Sequence, residues 1–174
     1  ITKYKHSSFR IDWDGEAPKS NQMMTNDIWE KRSKVIYIDP INIPGNQPIA
    51  DLIFISHEHH DHCDPISIKK ISDENTVIVG NKLVRQKLDS LKEESFQLVK
   101  PHEQFGIGGL IIFACPAYNL NKYHPSGRLY HPKENDGIGF ILEFNIHDGK
   151  DNISIYFMGD TDFDPDEMSP ADVD

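Results

Sequence analysis

Residues 57–62 read His-Glu-His-His-Asp-His, and an apolar run, Leu52-Ile53-Phe54-Ile55, leads directly into them. Imidazole nitrogens and carboxylate oxygens are the donors that hold zinc, and also iron or manganese. In an extended segment the side chains at i and i+2 point the same way, so His57 and His59 can grip one ion. Asp61 and His62 follow a change of chain direction and can grip a second ion nearby. The competing explanation is a solvated polar loop that happens to be histidine-rich. Nine histidines occur in 174 residues and four fall in these six positions, a concentration that solvation does not require. Glu58 and His60 occupy the in-between positions and are expected to face solvent or the groups behind a metal.

The elements around the cluster are short. Asp51 to Ser56 reads as a buried strand, apolar on both faces. The histidines then lie on the loop leaving its C-terminal end, where open α/β sheets place their sites. Thr2 to Ile11 alternates as an edge strand, and Trp13 to Arg32 reads as a polar loop or flap. Val35 to Asp39 is a second buried strand, stopped by Pro40. Asp64 as N-cap and Pro65 at the first helical position predict a short helix through Ile71. Thr76 to Val79 is a strand, and Leu83, Val84, Leu88 and Leu91 place a helix over Asn81 to Leu91. Phe96 to Val99 and Leu110 to Ala114 are strands, with a turn at Gly106 to Gly109. Tyr118 to Asp136 is a long polar loop. Gly139 to Ile146 and Ile153 to Met158 form a hairpin about Asp148-Gly149. Strands outnumber helices without strict alternation, which predicts layered α/β architecture with mixed sheets.

Composition narrows the function classes. At 174 residues the chain is one domain's worth, residues 1–174, with 37% hydrophobic and 26% charged residues, as in soluble globular proteins. No apolar run reaches the roughly 20 residues of a membrane span, and no basic-then-apolar leader opens the chain. Cys63 and Cys115 are too few for a disulfide framework, so a reducing, cytoplasmic setting is expected. The net charge of −10 and the lack of a basic stripe argue against a nucleic-acid partner. A small anionic substrate remains compatible, because bound divalent cations dominate their local field.

The spacing H-x-H-x-D-H at His57–His62 resembles the signature of the metallo-β-lactamase superfamily at every defined position. His6-Ser7-Ser8-Phe9 and Ile36-Tyr37-Ile38-Asp39-Pro40 resemble the opening strands of its hydrolases. Gly159-Asp160-Thr161-Asp162 is similar to its later G-D-T motif. Pro116-Ala117-Tyr118-Asn119 and His131-Pro132-Lys133 resemble a subgroup of zinc-dependent hydrolases near the L-ascorbate-6-phosphate lactonase branch. The resemblance runs from about His6 to Met168. It implies an αβ/βα sandwich: two facing sheets, helices outside, and metals at one edge between them. Family members continue beyond the G-D-T motif to a last histidine ligand, whereas Ala171-Asp172-Val173-Asp174 looks like the start of a next strand. The expected fold is therefore incomplete at its C-terminus, with the second metal site one ligand short.

The same resemblance implies roles for single residues. Asp160 is the expected bridge between two metals, and Asp162 is a ligand or a turn residue. Many relatives carry a histidine where Asn119 falls, so the third ligand of the first site is His131 or Asn119, with His124 a further candidate. His6 and Asp61 are the expected catalytic groups: Asp61 binds the second metal and holds the nucleophile, and His6 hydrogen-bonds a metal-bound water or orients a ligand, the alternative for His6 being a structural role at the end of the first strand. Asp39 is expected to buttress a histidine. Cys63 is expected to be a buried spectator thiol. Tyr118, Tyr123 and Tyr130 are candidates for a substrate pocket, or plain exposed loop residues. If Asp160 closes the site, its carboxylate must come within about 6 Å of His57, His59 or His62, and the strand ending at Met158 must lie beside the one ending at Ile55.

These readings predict a metal-dependent hydrolase that directs a metal-bound hydroxide at a small ester, lactone or phosphodiester. Two zinc ions are the expected cofactors, with manganese or iron as substitutes. The alternatives are a phosphodiesterase, like the related N-acyl-phosphatidylethanolamine phospholipase D, and a non-catalytic metal-binding or sensor domain.

Overall fold

The computed structural model describes residues 1–14, 33–89, 95–146 and 151–162. The described strands form two sheets. The first has the order β1 (Thr2–Lys3), β2 (Phe9–Asp14), β3 (Ser33–Ile38), β4 (Leu52–Phe54), β5 (Val77–Gly80), β6 (Phe96–Leu98). Strands β3 to β6 run parallel, β2 joins β3 antiparallel, and β1 pairs antiparallel with β2. The second sheet is an antiparallel meander of β7 (Gln104–Ile107), β8 (Leu110–Pro116), β9 (Ile138–Ile146) and β10 (Asp151–Phe157).

Side chains alternate across each strand, and here both directions are buried. Ile36, Ile38, Leu52, Phe54 and Val79 point between the sheets, where they meet Leu110, Ile112, Phe140 and Leu142. Phe54 and Phe140 pack edge to face across the gap at 5.2 Å. Tyr37, Ile53, Ile55 and Ile78 point the other way, onto helix α1 (Pro65–Ile71) through Ile68 and Ile71 and onto α2 (Lys82–Lys87) through Val84. That is why these strands read as unbroken apolar runs. Both described helices lie on the first sheet.

The helix ends follow their capping chemistry. Asp64 accepts hydrogen bonds from the Ile66 amide and the Ser67 hydroxyl, with Pro65 at the first position, as the residue order predicts. Asn81 caps α2 by accepting from the Leu83 and Val84 amides. No described helix is long and apolar enough to cross a membrane.

Several boundaries differ from the expectations. Thr2 to Ile11 is two strands, because the chain turns at Ser7 after His6, whose φ is +56°. The turn at Gly106 to Gly109 shrinks to Gly108-Gly109, both at positive φ, and Gly106 lies inside β7. The second helix ends at Lys87 rather than Leu91. Strand β10 is not a sheet neighbour of β4. It pairs with β9, and the two sheets meet at their ends, where the Ile138 amide donates to the Ser56 carbonyl at 2.9 Å. Most of the expected flap, the Asp148-Gly149 turn and the C-terminal segment lie outside the described residues.

Gly137, just before β9, is a tight point in this junction. A Cβ there would sit 2.3 Å from the Ala117 carbonyl oxygen, which is backbone and has nowhere to move. Gly137→Ala is therefore expected to cost about 3 kcal/mol or more. For a chain this size that lowers Tm by roughly 6–12 °C in a circular-dichroism melt. An unchanged Tm would mean that the two loops separate freely.

Candidate metal centre

The site forms where β3, β4 and β10 end. Asp39 follows β3, Ser56 and His57 follow β4, and Asp160 follows β10. The segment after His57 turns sharply: the amides of His62 and Cys63 both donate to the His59 carbonyl. This brings His62 back beside His57, with ring centroids 4.2 Å apart. The long polar loop returns His131, whose Nε2 lies 3.0 Å from His59 Nδ1. The Asp160 carboxylate reaches in from the second sheet, 3.1 Å from His62 Nε2 and 3.6 Å from His131 Nε2. It thus falls well inside the expected separation although it lies across the sandwich rather than on an adjacent strand.

Three sets of donors converge closely enough to hold an ion: His57, His59 and His131; His57, His62 and Asp160; and His6, Asp61 and His62. Within each set the donor atoms lie within 4.8 Å of one another. The sets share His57 and His62, so they adjoin, and the set that contains Asp160 links the other two. His6 was expected as a catalytic or orienting group. Its Nε2 lies 3.6 Å from Asp61 Oδ2, which puts an imidazole at the centre that was expected to be a ligand short. Asn119 is engaged by hydrogen bonds on both ends of its amide. Its Oδ1 lies 2.7 Å from His131 Nδ1 and its Nδ2 donates to the Asp160 carbonyl, so it aims His131 and ties it to the second sheet.

The remaining candidates fall elsewhere. His124 pairs with Ser126 in the exposed loop. The Asp162 carboxylate accepts from the Leu120 and Asn121 amides and from Lys122 at 2.6 Å, a turn-closing role. Cys63 is buried, and burial pushes its thiol up to about 12. The His60 side chain is 93% exposed, as an in-between position should be. Tyr123 and Tyr130 are exposed, and Lys133 sits over the Tyr118 ring.

Behind the ligands lies a buried polar network. Asp39 holds φ +44°, a left-handed conformation that aspartate tolerates, and this turns its carboxylate back over the start of the histidine loop. It accepts from the Ser56 amide, the Ser56 hydroxyl and His62 Nδ1, each at 2.8 Å. The resemblance pointed to Asp39 as a buttress, but Ser56 and Lys87 carried no signal of their own. Lys87 of α2 donates to the Glu58 carbonyl at 2.5 Å, and Asn81 donates to the carbonyls of Asn135 and Asp136. One helix thereby holds both loops that carry ligands.

The donor set fits a cation on a specific observation. The Nε2 atoms of His57 and His62 are buried and make no hydrogen bond. His62 Nε2 is close to Asp160, but not along a hydrogen-bonding direction. A buried polar atom without a partner costs about 1–3 kcal/mol, and a cation supplies the missing partner to both nitrogens.

Burial works against a charge on His62, but the carboxylates of Asp160 and Asp39 outweigh it and push its pKa up to about 10. Burial and the neighbouring His62, His59 and His131 bring His57 down to about 2. His62 holds Asp160 well below the usual carboxylate range. Burial and His59 lower His131.

The stability of the metal-free protein should follow these signs. His62 lies above its unfolded value of about 6.5, so its contribution is complete below that pH and is lost as pH rises toward 10. His57 lies below its unfolded value, so its contribution is present above about pH 6.5 and fades as pH falls, joined by Asp160 below about pH 4. The melting temperature of chelator-treated protein is therefore expected to peak near pH 6.5. A Tm that climbs steadily from there into the alkaline range would overturn the pairing of His62 with two carboxylates.

Residues 27–173, most of the chain, match the family model described as the beta-lactamase superfamily domain. Among solved structures the chain is similar to a proposed metal-dependent hydrolase from Parabacteroides distasonis, with 32% identity and a TM-score of 0.60 over 74% of this chain and 53% of that one. It also resembles in fold a possible metal-dependent hydrolase from Veillonella parvula, with 17% identity and a TM-score of 0.55 over 76% of this chain and 58% of that one. The chain thus spans little more than half the length of either structure. No curated protein matches it. With the two-sheet sandwich, the histidine loop at its edge and a family match over most of its length, the chain belongs to the beta-lactamase superfamily and has the metallo-β-lactamase fold.

Proposed function

We propose that this domain is a metal-dependent hydrolase of small anionic esters, lactones or phosphodiesters. The observation that carries the reading is the pair of adjoining donor sets that meet at Asp160, with the buried Nε2 of His57 facing them without a hydrogen bond and that of His62 facing Asp160 at 3.1 Å. His57, His59 and His131 would hold one cation, Asp61 and His62 the other, and Asp160 has two oxygens with which to join them. Zinc is the metal this donor set suits, with manganese or iron as substitutes. Such a pair lowers the pKa of a water toward about 7 and polarises the oxygen under attack.

The chain's own residues then divide the work. Asp61, partly exposed, would accept the hydrogen bond that orients the attacking water, and His6 would steady Asp61 from 3.6 Å. Asn119 keeps His131 aimed inward, which supports a working centre rather than one disabled by its substitution. Residues 117–133 contain Lys122, Arg128 and Lys133 and no carboxylate, in a chain of net charge −10. Lys122 is matched there by Asp162, so the support for an anionic substrate rests on the rest of that local balance. The exposed Tyr123 and Tyr130 offer its organic part a surface. Two free cysteines favour a reducing, cytoplasmic setting. The motifs around Asn119 and His131 support a place near the L-ascorbate-6-phosphate lactonase branch.

The test is turnover of simple lactones and of bis-p-nitrophenyl phosphate with added zinc or manganese. Lactone hydrolysis that chelation abolishes and zinc restores is the expected result. Turnover of the phosphodiester alone moves the reading to a phosphodiesterase of the phospholipase D-like branch. If fully metal-loaded protein turns over neither, a non-catalytic metal-binding domain is left.

A further inference from the structure

We propose that Ser56 is a positioning residue whose hydroxyl relays the Asp39 carboxylate to His57, so that one buried acid fixes the tautomer of His57 and the ring orientation of His62. The inference rests on the metal reading above for its purpose, but not for its chemistry.

The argument is a count of protons. A serine hydroxyl has one hydrogen to give and lone pairs to receive with, and a carboxylate only receives. Ser56 Oγ lies 2.8 Å from Asp39 Oδ2 and 3.0 Å from His57 Nδ1. Its hydrogen can serve only one of them. If it went to His57, two oxygens would face each other at 2.8 Å with no hydrogen between them. Ser56 and Asp39 are each only 2% exposed, so no water is at hand to relieve that contact. The hydrogen therefore goes to Asp39, and Oγ meets His57 Nδ1 as an acceptor. The proton of neutral His57 must then sit on Nδ1, which leaves Nε2 bare.

Asp39 acts on His62 directly. His62 Nδ1 donates to the same Oδ2 at 2.8 Å, and Ser56 Oγ is 3.4 Å from that nitrogen. Both imidazoles are thus fixed through Nδ1, and both turn Nε2 toward the centre. These are the two nitrogens found buried without a hydrogen bond. The Asp160 turn packs closely on this residue because Gly159 has no side chain: a Cβ there would come within 3.2 Å of Ser56 Cβ.

The experiment compares wild type, Ser56→Ala and Ser56→Thr. The ring 15N shifts of His57 are read by NMR in metal-free protein, and zinc affinity is read by competition with a chromophoric chelator. In wild type, His57 should carry its proton on Nδ1. In Ser56→Ala the proton should move to Nε2, or divide between the nitrogens, and zinc affinity should fall about 10–100-fold, as for other partners behind metal ligands. Ser56→Thr keeps the hydroxyl and should restore both readouts. Alanine leaves the smaller side chain, so if the threonine methyl prevents folding, Ser56→Ala still decides. An unchanged ring-nitrogen pattern in Ser56→Ala overturns the inference, whatever zinc does. A shifted pattern in a protein that takes up no zinc supports it and overturns the metal reading instead.

Discussion

Replacing His57 and His59 together with alanine should reduce bound zinc from stoichiometric to less than about a tenth of an equivalent per chain. The two imidazoles are the only neighbours that the histidine loop contributes to the set with His131, and His57 also belongs to the set with His62 and Asp160. Their loss leaves only His131 and Asp160 at the first centre and removes one donor from the set with His62. Metal affinity depends steeply on the number of deprotonated donors held in place, and water does not replace them at comparable strength. Elemental analysis after dialysis against trace zinc gives the readout, and near-ultraviolet circular dichroism checks that the sheets still pack. His59 is only half-buried, so most of any stability change should come from the gap left by His57. A folded double variant that retains its full zinc would show that the loop is a polar surface and not a metal centre.

The second large effect concerns Asp39. Asp39→Asn should destabilise the metal-free protein by about 2–4 kcal/mol and weaken zinc binding about 10–100-fold. The substitution keeps size and shape, and asparagine also tolerates the left-handed φ of +44°, so backbone strain is not the cause. The cause is the hydrogen-bond count. The carboxylate receives three buried donors: the Ser56 amide, the Ser56 hydroxyl and His62 Nδ1. An amide group has one accepting oxygen, and its NH2 must face at least one of those donors. One rotamer sets the NH2 against the Ser56 amide; the other sets it against Ser56 Oγ and His62 Nδ1, which must then both accept, so that His62 loses its buried carboxylate partner and keeps its proton on Nε2, where a metal would have to displace it. Denaturant titration and chelator competition check the two parts. Wild-type stability in Asp39→Asn would mean that water reaches the network.

Why the ligand loop was legible while its supports were not follows from how each is encoded. His57, His59, Asp61 and His62 are neighbours in the chain, so their spacing alone announces shared chemistry. The α1 cap at Asp64-Pro65 is equally local, since it depends on a side chain meeting amides two or three residues on. The strands over residues 52–54 and 77–80 announced themselves by continuous apolar composition. That composition exists because one face meets helices and the other meets a second sheet. The split at His6 and the extra strand β7 escaped, because a turn of one or two residues at positive φ leaves little trace in hydrophobic pattern.

The choice between Asn119 and His131 shows the limit more sharply. By residue type alone both stood open, and only the fold reveals that they cooperate, with Asn119 holding the imidazole that faces His59. Ser56 is similar: a serine after a strand is unremarkable until Asp39, seventeen residues earlier, is placed against it.

By itself, then, the sequence determined the donor chemistry, the loop that carries most of it, the buried strands and the family. Each is written in residue type and short-range spacing. Tertiary structure decided that Asp160 arrives from the opposite sheet, that His131 and His6 complete the donor sets, and that Asp39 governs His62 directly and His57 through a serine. Those facts depend on two sheets packing face to face around a shared core, and contact between residues a hundred positions apart has no local signature.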